Sequence, residues 1–128
     1  MTETFSTNPE AALLSSNIIG FLLTDGSAVI SGVTEASDTA TTVTFENTTR
    51  ATLADDTYIT LGFVATKGTS TDTVDFYINR KKVGSSQTNI PTANLKLTAM
   101  SLSGDASGTK ATTIDYVMAA QDRAVSYE

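Results

Sequence analysis

From residue 17 onward, apolar side chains in this sequence recur at every second position in short runs, and turn formers separate the runs. The clearest case is 74–79, where Val74, Phe76 and Ile78 alternate with Asp75, Tyr77 and Asn79. A period of two places one set on each face of an extended strand, so such a run is built to bury one face and wet the other. Threonine supplies about a fifth of the chain, with Ser, Gly and Val also frequent, and this composition suits strands joined by polar turns.

The same pattern predicts further strands at 17–23, 27–33, 41–46, 58–65, 95–102 and 112–119. Asp25-Gly26 between the first two is a hairpin signal, and Lys82-Val83-Gly84 reads as the return strand of a second hairpin after 74–79. Residues 47–50 and 67–71 read as turn and loop, 89–94 as an extended link through Pro91, and 103–108 as a loop. One helix-like piece precedes the strands. Asn8 can cap it, Pro9 suits its first position and Glu10 suits the positive end of its dipole. The expected organisation is an N-terminal arm over 1–16 with that short helix, one β-domain over 17–120 and a polar tail over 121–128. The fold class is all-β, an antiparallel β-sandwich or jelly roll with at most one short N-terminal helix.

Composition narrows function. The chain has no cysteine and no histidine, so disulfides, thiolate metal sites and the commonest general base are all missing. A net charge of −6 and a pI near 4.4 argue against nucleic acid as a partner, because phosphate backbones select basic surfaces. The longest apolar run, 18–23, is too short to span a bilayer, which argues against a membrane. The start of the sequence has no basic, then apolar, leader pattern, which implies synthesis in a cytoplasm-like compartment.

Several stretches together carry a resemblance: Val74-Asp75-Phe76-Tyr77-Ile78-Asn79, Lys82-Val83-Gly84, Thr88-Asn89-Ile90-Pro91 and Ile114-Asp115-Tyr116-Val117. They resemble the closing strands of concanavalin A-like lectin/glucanase domains, in the version found in phage and bacterial structural proteins. Asp55-Asp56-Thr57-Tyr58 is similar to the start of a strand in that family. The resemblance implies a jelly-roll fold and a place in a virion. Two departures accompany it. Arg80 stands where the family has a glycine after Asn79, which implies a longer loop through Lys81 or a different turn. The family's earlier strands also have little sequence before Asn17 to supply them, which leaves sheet edges that a symmetric partner would cover.

Glucanase chemistry needs two carboxylates flanking the scissile bond, which a strand can supply at i and i+2 or i+4. Asp75 is followed at those places by Tyr77 and Asn79, and Asp115 by Val117 and Ala119, so each is a lone carboxylate. Asp55-Asp56 suits the turn before Tyr58. Asp105 has no second carboxylate near it in sequence, so no calcium motif is present. No catalytic, cofactor or metal residues are therefore expected, and the chain is not expected to be an enzyme. Asn47-Thr48-Thr49 matches a glycosylation acceptor only by chance. Four residues stand out as possible partner or glycan contacts: Tyr77, and the basic run Arg80, Lys81 and Lys82. The plainer readings are a packing tyrosine and a solvated hairpin tip. The expected function is a virion structural protein, a capsid decoration (cement) or fibre-associated subunit, assembled as a homo-oligomer with a trimer as the expected form. Its partners would be the major capsid protein or other virion proteins. The alternative is a lectin-type carbohydrate-binding module using Tyr77.

Overall fold

The alternation at 74–79 becomes the central strand of a sheet. Strand β5 (Thr73–Ile78) buries Val74, Phe76 and Ile78 completely and leaves Thr73, Asp75 and Tyr77 half-buried on its other face. Its antiparallel neighbours are β4 (Leu61–Thr66) and β6 (Lys81–Ser86). A second antiparallel sheet contains β1 (Ile18–Leu23), β2 (Ile30–Ala36) and β3 (Thr39–Val43), in that order. The computed structural model describes residues 17–23, 27–54, 57–92, 95 and 113–120. Within them the fold is all-β apart from one helical turn, α1 (Thr48–Ala51). The chain divides into two compact units, Met1–Leu95 and Lys96–Glu128, and the six strands all belong to the first.

The two sheets share one core. Ile30 from β2, Val74, Phe76 and Ile78 from β5, and Val83 from β6 meet Phe45 and Ala51 there, with Ile19, Phe21 and Val43 packed against them. Phe76 is the hub. Its ring stands edge-on to Phe21 at 5.5 Å and lies 5.8 Å from Phe45, both separations typical of favourable aromatic pairs. A buried polar tie lies beside this core. Thr34 Oγ1 is 3.0 Å from Ser86 Oγ and donates to the Thr88 carbonyl at 2.9 Å, so β2 is fastened to the end of β6 with its hydroxyl satisfied. Strand β2 is buried on both faces, because Val33 and Glu35, which alternate with Gly32 and Thr34, are buried as well.

Two hairpins close through two-residue turns that demand left-handed backbone. Ala36 pairs with Thr39 across Ser37 and Asp38, whose φ angles are 51° and 63°. Ile78 pairs with Lys81 across Asn79 and Arg80, at 50° and 64°. The loop is therefore not extended through Lys81. The tight turn forms, and Arg80 takes the position that favours glycine. Asn79 holds it from both sides, since its N–H donates to the Thr60 carbonyl at 2.8 Å and its Oδ1 accepts from the Thr60 N–H at 2.9 Å. A left-handed non-glycine residue costs roughly 1–2 kcal/mol, and glycine's extra unfolded-state entropy returns roughly half of that. Replacing Arg80 with Gly should therefore stabilise the fold by about 0.5 kcal/mol. The readout is a higher urea midpoint at unchanged m value.

Other boundaries move for identifiable reasons. The strand expected at 27–33 is found at 30–36, because Val29 bridges Thr52 and the Ala28 carbonyl accepts from the Leu53 N–H, which keeps both residues out of the β1–β2 ladder. The strand expected at 41–46 starts at 39, as the Ser37-Asp38 turn dictates. It ends at 43, where the chain leaves the ladder to put Phe45 in the core. The turn expected at 47–50 is the helical turn α1, capped by Asn47 Oδ1 accepting from the Arg50 N–H at 3.0 Å. Asn89 has φ 49°, so the link before Pro91 is bent rather than extended, with Asn89 Nδ2 donating to Thr41 Oγ1 at 2.9 Å. The closing strand expected at 112–119 is not formed over the described residues 113–119. Residues 113–120 have no regular secondary structure and are exposed, because a strand needs a ladder partner and the described residues supply none. The expected helix after Asn8, the 103–108 loop and nearly all of the 95–102 strand lie outside the described residues.

Candidate functional site

The basic run at 80–82 does not make one patch. Arg80 sits in the turn, Lys81 faces Ile78 across the ladder, and Lys82 faces Tyr77 on the opposite side of the sheet. Lys82 Nζ lies 2.7 Å from Asp75 Oδ1, and the hydrogen bond it donates to this carboxylate raises the ammonium pKa above its ordinary value. The register makes this pairing possible. Phe76 faces Gly84 whereas Tyr77 faces Lys82, so Val83 is the extra residue of a β-bulge. Asp75 is thus neutralised by a neighbour on the same face, as befits a lone carboxylate in an ion pair.

Tyr77 is half-buried on that outer face, across from Gly62 on β4, where a side chain would meet nothing within 4 Å. It is the one aromatic residue that β4, β5 and β6 place there. A sugar would have a single, partly covered ring to stack on. Two open clefts flank the sheets. One, of about 430 Å³, is lined by the 67–72 loop with Gln87 and Ile90. Its carboxylate is already engaged, since Asp72 accepts from Lys67 Nζ at 3.0 Å and from the Gly68 N–H at 3.2 Å. Those hydrogen bonds hold the Asp72 carboxyl below its ordinary range. The other cleft, of about 410 Å³, runs between the end of β3 and β6 and includes Lys82 and Glu46. Neither is the apolar, enclosed hollow that small ligands favour.

One carboxylate belongs to no same-face pair in the sequence and is still set apart by the fold. Glu35 on β2 is fully buried, while neighbouring positions of that strand carry the apolar Val33 and the small Gly32. It lines neither cleft. Asp115 is exposed, and Asp55, Asp56 and Asp105 lie outside the described residues. Among the described residues, no group of three or more acidic side chains converges in a way that would hold a metal ion.

The most distinctive surface is one that the alternation alone does not mark. Among the described residues strand β4 lies at the edge of its sheet, and its sequence, Leu61-Gly62-Phe63-Val64-Ala65-Thr66, carries no charge, no proline and no bulge. Leu61 and Phe63 are each 40% exposed and Val64 is 53% exposed, with Tyr58 at 72% just before them. Yet Leu61 and Phe63 pair directly with Ile78 and Phe76, which are fully buried. Burial therefore falls away within one strand spacing, about 4.8 Å. Among the described residues, the inner apolar face continues past the strands that the other sheet covers, and nothing covers β4. The other edges differ. β6 carries Lys81, Lys82 and the bulge, β3 is largely threonine, and β1 is half-buried apart from Leu23. Comparison with known protein families, with curated proteins and with solved structures finds no match to this chain.

Proposed function

We propose that this protein is a virion structural subunit, a capsid decoration (cement) or fibre-associated protein, that works through homo-oligomeric assembly rather than catalysis. The observation that carries this reading is β4. Edge strands that are exposed, apolar and uncharged invite pairing, and proteins that stay single blunt them with lysine, proline or bulges. β4 has none of these devices, while β6 has two of them. An uncovered apolar edge on an otherwise acidic chain is what a subunit needs if repulsion keeps it soluble until its edge is covered. The resemblance of 74–91 and 114–117 to concanavalin A-like domains of phage proteins supports the virion part of the proposal, with a jelly-roll relationship as its structural side. The expected outer partner is the major capsid protein or another virion protein.

Light scattering on the full chain tests the assembly. The expected mass is that of three chains, a ring closed by one repeated contact. Purified virions of the source should then contain the protein in stoichiometric amount. A single-chain mass at every concentration, together with absence from virions, would remove the proposal.

A further inference from the structure

Two segments of this chain share an unmet need. On β4, Leu61, Phe63 and Ala65 form an exposed row on one face and Val64 projects from the other. In residues 113–120 the exposed large apolar side chains are Ile114, Tyr116 and Met118, at 54%, 65% and 81%, with Val117 between the last two at 53%. The arrangement is the same in both: three alternating positions on one face and a valine on the other. Of the exposed large hydrophobic residues among those described, most fall in these two places. The 113–119 stretch has strand periodicity but no strand, and β4 has an unpaired edge among the described residues.

We infer that residues 113–119 of a second copy add to the β4 edge as a fourth strand of the β4–β5–β6 sheet. Backbone hydrogen bonds would supply the affinity and the alternating side chains the register, as in strand addition generally. Added parallel to β4, Ile114, Tyr116 and Met118 then extend the row of Leu61, Phe63 and Ala65, and Val117 lies beside Val64 on the outer face. A one-residue slip would turn three apolar side chains to water, so the inward face of the added strand is set. The only charge in the incoming stretch is Asp115, which falls on the outer face with Val117. Donor strand and acceptor edge are different surfaces, so the contact is head-to-tail, and a ring of three is the closed form that leaves no donor or edge unused. This inference rests on the assembly reading and names the surface and the partner for it.

The chain has no cysteine, so introduced ones report without background. Val64→Cys and Val117→Cys lie at exposed outer-face positions and leave the apolar row intact. Mixing the two single variants with a short bismaleimide reagent should give a covalent pair joining 64 to 117. The double variant should give covalent species with the full mass of the assembly. Tyr116→Asp, which lies outside the 1–95 unit, should reduce the scattering mass to one chain and leave the β circular dichroism of that unit unchanged. An oligomeric mass with no 64–117 product in the mixture would overturn the inference and leave assembly standing through another face. A link formed only within single double-variant chains would overturn it in favour of the chain's own segment. A single-chain mass for the unmodified protein would overturn both readings.

Discussion

Replacing Phe76 with Ala is expected to destabilise the fold by about 3–5 kcal/mol, the range for deleting a buried phenyl ring. Phe76 is fully buried, meets Phe21 and Phe45, and has its ring tip against the backbone of Gly32. The deletion therefore removes contacts to both sheets at once. Collapse cannot heal it readily, because β2 and β6 are tied by Thr34 and Ser86 and their separation is set beside the cavity. A domain of this size has about 5–15 kcal/mol in all, so the variant should be marginal at room temperature. Urea unfolding followed by far-ultraviolet circular dichroism reads the loss. Phe76→Leu keeps most of the volume and should cost clearly less than Phe76→Ala, and equal losses would mean that the ring is not the hub.

The strands that were legible in the sequence are those with one buried and one wet face. Val74, Phe76 and Ile78 announce β5 because their neighbours Asp75, Tyr77 and Asn79 are polar or amphipathic. The two tight turns were harder to read. Ser37-Asp38 has no glycine to advertise a left-handed pair, and Arg80 argues against the turn it occupies. In both places the ladder on either side fixes the backbone and overrides local preference, which no short window of sequence contains. Glu35 shows the same limit for burial, since a carboxylate in an alternating strand reads as solvent-facing while β2 is buried on both faces.

For the candidate site, the run of three basic residues was visible but its division was not. Only the hairpin geometry sends Arg80, Lys81 and Lys82 to different places and gives Lys82 to Asp75. Tyr77 does oppose the Val74, Phe76 and Ile78 face, as the alternation requires. β4 was readable as a strand, yet its exposure depends on how far the opposing sheet extends, which is a property of the packed pair and not of residues 61–66. The same holds for 113–120. Its alternation is real, but alternation becomes a strand only when another backbone lies alongside it.

Gly32 and Gly62 are both strand glycines, and the same substitution should act oppositely at the two. At Gly62 an added methyl meets nothing, so Gly62→Ala should be neutral or stabilising by up to about 0.5 kcal/mol, through lower unfolded-state entropy. At Gly32 the new Cβ would lie 3.0 Å from Phe76 Cζ and 3.1 Å from each adjoining ring carbon. The ring has no room to retreat, with Phe21 and Phe45 against it. Gly32→Ala should therefore cost about 1–3 kcal/mol, and Gly32→Val should reach the top of that range, as overpacking of a tight core does. The cause can be isolated in a double-mutant cycle. If the clash with the ring tip is the mechanism, Gly32→Ala should cost at least about 0.5 kcal/mol less in a Phe76→Leu background, where the tip is gone. Additive losses would place the strain in the β2 backbone instead. That result would also mean that the two sheets are not held at their spacing by a phenyl ring seated on a glycine.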